Sequence, residues 1–425
     1  MSKRILVFPC GSEIGLEIHR ALRYSMHFDL VGGSSVEDHG RFVYEEYLGD
    51  LPFHDSPDFA GNMAQIIREH KIDAIYPTMD AVAETLQDLA TQLAVCVVGS
   101  SPETTRACAS KSAIYGMLDG LVPLPRLYPN LETVRAYPVF IKPDRGYGSR
   151  HAARADDEAM AMALLAQQTD RTMLILEYLP GKEWTIDCFS DRHGKLHFHA
   201  ARGRNRISNG ISVRTSPSDD FSDVFADWAA TINRRLRPRG AWFFQAKLDD
   251  KGQPRLLEVA TRFAGSSALH RGMGVNLPLL SAFDAFEWPV AIEANRYHIE
   301  LDRALENRYR IDLDYRHVYV DLDDCILLKG KVNHLLIAFL YQAIDMGCTI
   351  TLLTRHAGDL PKILCKARLQ ALFDHIVHIT DGTPKASYID QENAIFIDDS
   401  FQERSKVARH LGIPVFSPDM IEALL

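Results

Sequence analysis

Short apolar runs alternate with stretches of helical spacing along the first hundred residues. Ile5–Phe8 is such a run and predicts a strand, and Ile14–Tyr24 repeats its apolar positions at the interval of a helix. Ala74–Tyr76 and Ala94–Val98 predict further strands. Short strands alternating with amphipathic helices predict a parallel sheet. Between the first strand and helix, Cys10–Gly15 holds only GxxxG, short of the full dinucleotide fingerprint, and reads as a tight turn. From about residue 101 to 300 the rhythm changes to longer β-rich stretches and glycine loops. The charged, irregular segment HIELDRALENRYRIDLDYR, residues 298–316, predicts a linker with at most a short helix. A second strand–helix alternation then begins, with strands expected at His317–Val320, Thr349–Leu353, Ile376–Ile379, Ala394–Ile397 and Val415. The chain therefore reads as an α/β domain over 1–108, a mixed α+β domain over 109–296, a linker over 297–316 and a second α/β domain over 317–425. No internal repeat or low-complexity segment is present.

Composition narrows the function classes. The chain has 425 residues, 46% apolar and 24% charged, as a globular multidomain protein does. Its 47 basic and 56 acidic residues give a net charge of −9, which argues against nucleic acid as a partner. The longest apolar stretch, Leu335–Ile344, contains Gln342 and falls short of the ~18 residues of a membrane span. The start, MSKRILVFPCG, lacks a signal peptide's apolar region and cleavage site, so a cytoplasmic protein without a membrane partner is expected. Seven scattered cysteines with no CxxC pair read as reduced thiols and not as a zinc site.

Chemistry first appears in the middle region. Tyr137–Pro143 is a strand carrying Lys142, followed by the glycine loop Gly146-Tyr-Gly148-Ser149-Arg150. A lysine at a strand end beside such a loop can neutralise phosphate oxygens that the loop's N–H groups approach closely. After a helix pattern at Ala155–Gln168, the strand Met173–Glu177 leads into Tyr178-Leu179-Pro-Gly-Lys-Glu183. Backbone groups after Glu177 can read an adenine edge, and Glu183 can accept hydrogen bonds from ribose hydroxyls. The order of these elements resembles the ATP-grasp superfamily over about residues 1–295, and within it the carbamoyl-phosphate-synthase-like and amino-acid-ligase branches. The resemblance implies a parallel-sheet pre-ATP-grasp domain ahead of an ATP-grasp fold. It also implies that Lys111, in Ala109-Ser-Lys111 before Val122–Pro125, touches ATP phosphate beside Lys142. Gly146, Gly148 and Ser149 become the glycine lid, with His151 where a glycine is common, and Glu177, Leu179 and Glu183 the adenine–ribose hinge.

Phe244–Leu248, the turn Asp249–Gly252 and Leu256–Arg262 form a hairpin pattern in which Gln245 and Glu258 can face the same way. Hard oxygen ligands facing a triphosphate suit Mg2+, with Mn2+ as a substitute ion. The family pattern E-x-N-P-R stands here as Glu258-Val-Ala260-Thr261-Arg262. Ala260 thus replaces a third metal ligand, and water, Thr261 or Asp249 are the candidates to replace it. The basic stretch Arg202–Arg206, with Ser208–Gly210 and Arg214 after it, reads as anion handling in so acidic a chain. Members of the family place arginines here against the γ-phosphate or an acyl phosphate, which assigns Arg204 and Arg262 to catalysis.

The last region repeats a different order. His317–Val320 ends in Asp321-Leu-Asp323, Ile350–Thr354 ends in a hydroxyl, Lys385 follows Asp381-Gly-Thr-Pro, and Ala394–Ile397 ends in Asp398-Asp399. A carboxylate nucleophile with a second acid nearby is what aspartyl-phosphate chemistry requires. The order resembles the haloacid-dehalogenase (HAD) phosphatase superfamily over about 317–425, with a Rossmann-like fold and no inserted cap. By that resemblance Asp321 is the nucleophile and Asp323 the acid–base. Thr354 and Lys385 hold the phosphoryl group, and Asp398 and Asp399 join Asp321 and Asp323 around Mg2+.

The combined expectation is a bifunctional enzyme. An ADP-forming ATP-grasp ligase joins a small carboxylate to an amine through an acyl phosphate, and a fused phosphatase acts on a related phosphoester. The alternatives are an ATP-grasp kinase needing no amine, or an ATP-binding regulatory protein carrying a phosphatase domain. Dimers are common among similar proteins, so a homodimer is the assembly considered.

Overall fold

The computed structural model describes every residue except 1, 147–150, 169, 209, 296, 306–308 and 310. It divides into two compact units, Met1–Leu305 and Glu306–Leu425.

The first unit opens with a parallel sheet of β1 (Lys3–Phe8), β2 (Phe28–Gly33), β3 (Glu46–Leu48), β4 (Ala74–Pro77) and β5 (Cys96–Val97), in the order β3-β2-β1-β4-β5. Helices α1 (Glu13–Leu22), α2 (Phe59–Glu69) and α3 (Asp80–Leu93) cover it. The alternation of β1 explains why both faces are clothed. Ile5 and Val7 pack with Ile14, Ile18 and Leu22 of α1, while Leu6 and Phe8 pack with Phe59 and Met63 of α2 and Leu86 of α3. The strand expected at Ala94–Val98 shrinks to Cys96–Val97 because Ala94, at φ 50°, is the left-handed cap of α3.

After α4 (Pro102–Ala109) and α5 (Lys111–Leu118) come two antiparallel sheets. The smaller holds β6 (Leu127–Tyr128), β7 (Val139–Pro143), β8 (Ala153–Ala155) and β9 (Met173–Glu177), ordered β6-β9-β7-β8, with α6 (Glu158–Ala166) packed on it. The larger holds β10 (Glu183–Ser190), β11 (Leu196–Ser208), β12 (Ile211–Pro217), β13 (Gly240–Leu248), β14 (Pro254–Ala260) and β15 (Leu301–Asp302), ordered β14-β13-β10-β11-β12-β15. Phe225, Trp228 and Ile232 of α7 (Ser222–Leu236) bury against Trp184, Ile186 and Phe244 of this sheet. Helices α8 (Ala268–Gly272) and α9 (Leu277–Ala285) follow. β15 lies in the segment expected to be a linker. It pairs with Arg214 and Thr215 of β12; its Asp302 accepts two hydrogen bonds from Arg206, and Glu300 just before it accepts from Arg214.

The second unit is a parallel sheet of β16 (His317–Val320), β19 (Thr349–Thr354), β20 (His375–His378), β21 (Ala394–Ile397) and β22 (Val415–Phe416), ordered β20-β19-β16-β21-β22. A small hairpin, β17 (Leu327–Leu328) and β18 (Lys331–Val332), precedes α10 (His334–Asp345); α11 (Leu360–Ala367) and α12 (Phe401–Leu411) complete the unit. Val318 and Val320 of β16 face one apolar cluster and Tyr319 the other. Asp321, Thr354 and Asp398 all stand at the carboxyl ends of adjacent strands, the edge at which open α/β sheets carry their ligands. Among the described residues no helix is long and apolar enough to cross a membrane.

Candidate active sites

A cavity of about 490 Å3 opens in the first unit. Lys111 enters it from the start of α5, where Ser110 caps the helix by accepting from the Ala113 N–H and Asp144 accepts from the Ser110 hydroxyl at 2.8 Å. Lys111 Nζ donates at 3.2 Å to the carbonyls of Asp144 and Gly146. Lys142 reaches the same space from β7, with Nζ 3.2 Å from Tyr115 Oη and 3.1 Å from the Leu257 carbonyl. Burial pushes the Lys142 ammonium down to about 8, against the pull of Glu258, Glu183 and Asp144, and burial also lowers Lys111. Two dehydrated cations at one end of a cavity are what an anionic phosphate chain would stabilise. Gly146 stands at φ +141°, a backbone state closed to side-chain-bearing residues. His151, found where glycine is common, has φ +60°. Gly148 and Ser149 lie outside the described residues.

Leu176, Glu177, Tyr178 and Leu179 form one wall of the cavity. The Glu177 carboxylate accepts from the Arg126 N–H at 3.1 Å, which fixes the exit of β9. Glu183 also lines the cavity, but it is already engaged: Arg204 Nε lies 2.7 Å and Lys247 Nζ 3.8 Å from its carboxylate oxygens.

On the β13–β14 hairpin, Gln245 and Glu258 are paired, so their side chains share a face, and both line the cavity. These two oxygen donors fit Mg2+, whose remaining ligands would come from the triphosphate and water. Ala260 is paired with Phe243 and packs in a small apolar cluster with Phe243 and Ala264. Of the substitutes considered, Asp249 has a carboxylate oxygen within 4.8 Å of oxygens of Glu177 and Asp250. Asp249 is also a turn residue, accepting from the Lys251 and Gln253 N–H groups and from both Nε and Nη2 of Arg255. Thr261 lines a separate, smaller cavity. Arg262 does reach the main cavity, its guanidinium 5.4 Å over the Phe243 ring and its Nε 2.9 Å from Asp80 Oδ1.

The basic stretch splits. Arg202 and Arg204 face the cavity, whereas irregularities in the β11–β12 register on either side of Arg206 turn it to the exposed pair with Asp302. Arg202 is 1% exposed, its Nε 2.6 Å from Asp187 and its Nη1 2.8 Å from Ser266. Burial alone would raise the Asp187 carboxyl; Arg202 and His270 outweigh it and hold the group below its usual range. This Asp187–Arg202–His270 cluster was not readable, since its members lie far apart on β10, β11 and α8. The cavity also receives Glu13, Asp80 and Arg303, which no sequence motif marked.

In the second unit, Lys385 is almost fully buried, with Nζ 2.6 Å from Asp398 Oδ2 and 2.9 Å from Asp321 Oδ2. Burial raises the Asp398 carboxyl to about 6 and raises Asp321 as well, in both cases against the opposing pull of Lys385. Asp321 Oδ1 is buried without a hydrogen-bond partner among the described residues. Thr354 is fully buried at the end of β19. Carboxylate oxygens of Asp321, Asp398 and Asp399 lie within 4.8 Å of one another, and this donor set fits a divalent cation. Asp323 is not in that group. The chain turns through Asp324 at φ +50°, and the Asp323 carboxylate pairs instead with His356 Nδ1 at 2.9 Å.

Residues 169–301 match the family described as "ATP-grasp in the biosynthetic pathway with Ter operon". Among solved structures, the chain is similar to Rhizobium etli pyruvate carboxylase with acetyl coenzyme-A, at a TM-score of 0.57 and 18% identity, covering 67% of this chain and 28% of that one. The chain thus spans well under two thirds of that protein's length. It is similar to a biotin carboxylase–beta-gamma-ATP complex from Campylobacter jejuni (TM-score 0.58, 15% identity, 69% of this chain and 74% of that one). It is also similar to the L-amino acid ligase of Bacillus licheniformis (TM-score 0.55, 17% identity, 68% and 74%). No curated protein matches the sequence. At such identities the likeness is one of fold: an ATP-grasp domain with a parallel-sheet domain ahead of it.

Proposed function

We propose that the first unit is an ADP-forming carboxylate–amine ligase and that the second unit is a Mg2+-dependent phosphatase. The observation that carries the ligase is the convergence of Lys111, Lys142, Arg202 and Arg204 with Gln245 and Glu258 on one cavity. Similarity to an L-amino acid ligase supports it at the level of fold. A substrate carboxylate oxygen attacks the γ-phosphorus of ATP, the bond to the β-phosphate oxygen breaks, and ADP leaves. The amine then attacks the acyl carbon, a C–N bond forms, the C–O bond to phosphate breaks, and phosphate and a proton are released. Lys111 and Lys142 offset charge on the triphosphate, while Arg202 and Arg204 meet the charge that develops on the transferring group.

For the second unit, the support is the Lys385 bridge between Asp321 and Asp398 and the unpartnered Asp321 Oδ1. Asp321 attacks the phosphorus of a phosphoester while the ester P–O bond breaks, and Asp323, held by His356, delivers the proton to the leaving oxygen. Water then cleaves the aspartyl phosphate, giving its proton back to Asp323. Mg2+, when bound at either site, would neutralise phosphate oxygens and keep them oriented.

The test uses an Asp321→Asn protein, so that phosphate release by the second unit does not interfere. With ATP, Mg2+ and pools of carboxylates and amines, ADP that forms only when both acceptors are present supports a ligase. AMP formation, or ADP formation with a carboxylate alone, rules it out.

A further inference from the structure

Arg202 is held at the wall of the first unit's cavity by one side chain from the neighbouring strand and two from beyond the sheet. The register places it in a row that crosses four strands. Glu258 of β14 pairs with Gln245 of β13, Gln245 with Thr185 of β10, and Thr185 with Arg202 of β11. Residues directly opposite share a face, so the guanidinium stands on the same side as the two oxygen donors that fit Mg2+. Its strand is two removed from that of Gln245, about 10 Å at the usual spacing. Asp187 follows Thr185 by two residues on that face and accepts from Arg202 Nε at 2.6 Å. Nη1 donates to Ser266 Oγ at 2.8 Å and lies 3.5 Å from Thr215 Oγ1. Nη2 donates to none of the described residues, although the side chain lines the cavity.

Two features of this ion pair do not suit a strut. A guanidinium and a carboxylate commonly pair through two parallel bonds, which here would put Nε and Nη2 on the two oxygens of Asp187. Asp187 uses Oδ2 alone, and its Oδ1 is buried without a hydrogen-bond partner among the described residues. A pair built for stability would close the second bond, since an unpaired buried oxygen is costly. The other feature is His270 of α8, 83 residues along the chain, whose Nε2 lies 3.1 Å from the same Oδ2. A carboxylate only accepts, so Nε2 carries the proton. The His270 ring stands edge-on to Phe198, with centroids 5.2 Å apart, which fixes its direction. Both donors therefore load one oxygen, and this keeps the carboxylate from turning Oδ1 onto Nη2.

We infer that Asp187 and His270 are positioning residues of the ligase: Asp187, steadied by His270, aims Arg202 so that Nη2 is offered to the phosphoryl group in transfer. The inference rests on the ligase reading and adds two residues to it. Neither of them touches substrate. They act through a guanidinium that meets charge developing in the transition state, so their loss falls on kcat and not on nucleotide affinity.

The experiment uses the full chain carrying Asp321→Asn, with ATP, Mg2+ and pools of carboxylates and amines. Asp187→Asn keeps the shape and removes the charge. Its kcat for ADP release is expected to fall about a hundredfold, the scale of a misaimed group, while affinity for a fluorescent ATP analogue stays within about twofold of the parent. His270→Phe should lose about tenfold in kcat, the scale of one hydrogen bond to a charged group. His270→Gln supplies an amide N–H in place of Nε2–H and should recover most of that loss. In an Arg202→Met protein, adding Asp187→Asn should cost no further kcat, because Asp187 acts only through the arginine. Should Asp187→Asn fail to fold, the His270→Phe and His270→Gln pair decides by the same readouts. Where no acceptor pair drives turnover, aluminium fluoride stands in for the phosphoryl group in transfer. It should tighten a fluorescent ADP analogue on the parent by about tenfold or more, and on Asp187→Asn by less than about threefold. The inference is overturned by a kcat or a tightening unchanged in the variants, by a loss of ATP affinity that matches the loss of kcat, or by a further loss on top of Arg202→Met. With a parent that turns over or tightens ADP, those results sink only the positioning role. A parent that does neither sinks the ligase reading and the positioning role with it.

Discussion

Arg262 and Asp80 meet across 182 residues, with Nε 2.9 Å from Oδ1 and Nη2 3.4 Å from Oδ2. Arg262 follows β14, and Asp80 is the first residue of α3 in the N-terminal sheet domain. That domain therefore helps to aim a guanidinium of the cavity, which also lies over the face of Phe243 and donates to the Phe263 carbonyl at 3.4 Å. Asp80→Asn keeps the shape and removes the charge. The expected result is a fall of about tenfold in kcat/KM for ADP release with ATP affinity changed less than twofold, as for a partner that orients and does not bind nucleotide. Steady-state kinetics beside nucleotide titration checks it. An equal loss of ATP affinity would show that Asp80 shapes the nucleotide site itself.

The proposed ligase reaction should carry a pH dependence from Lys142. Its ammonium is pushed down to about 8, with burial as the leading cause. The protonated form is the one that meets phosphate, so ATP affinity should be level below about pH 8 and weaken above it, by up to tenfold per pH unit. The stability sign is the opposite. The folded value lies below the unfolded one, so the buried cation destabilises the fold at and below pH 8, and that cost fades as pH rises from about 8 towards the ordinary lysine range. Lys142→Arg keeps its charge throughout and should abolish the break in the binding curve. An unbroken curve for the parent protein would remove Lys142 from the phosphate site.

Much of this cavity was legible because its chemistry sits at strand ends or within one hairpin. Lys142 and Glu177 mark the ends of β7 and β9, and Gln245 and Glu258 lie at the spacing that a tight turn brings face to face. Asp249 has two sides: as the residue opening Asp-Asp-Lys-Gly it accepts from the backbone and from Arg255, and one of its oxygens lies within 4.8 Å of carboxylate oxygens of Glu177 and Asp250. Arg303, Glu13 and Asp80 were illegible. Their meaning comes from contacts over 182 and 290 residues, and β15 is two residues long inside a charged stretch with no periodicity. In the second unit the order Asp321, Thr354, Lys385, Asp398 was readable strand by strand. The pairing of Asp323 with His356 was not, since it depends on the turn at Asp324.

Lys385 is the counter-charge that lets two buried carboxylates coexist. Removing one partner of such a buried network typically costs about 3–5 kcal/mol. Lys385→Met should therefore destabilise the second unit, and the loss should depend on pH. Burial already raises Asp321 and Asp398, the latter to about 6, and without the lysine both rise further. A raised carboxyl binds more protons folded than unfolded, so stability is lost as pH climbs through the raised value. Urea unfolding should show a larger deficit at pH 8 than at pH 5, and Mg2+ should recover part of it by supplying positive charge. A deficit equal at both pH values would mean that Lys385 acts by packing alone.

The two sites make separate demands on the chain, and a pair of substitutions tests whether they are separate in action. Lys142→Ala removes a cation from the cavity of the first unit, 3.1 Å from the Leu257 carbonyl. Asp321→Asn removes the proposed nucleophile and weakens the contact with Lys385. Lys142→Ala is expected to lower ATP-dependent ADP release by at least about a hundredfold, the scale of a preorganised charge at a transferring phosphate. Hydrolysis of p-nitrophenyl phosphate should be unchanged. Asp321→Asn should do the reverse, since the amide cannot attack phosphorus. Circular dichroism on both proteins guards against unfolding. If either single change removes both activities from a folded protein, the two reactions are coupled, and the account of two independent sites must be given up.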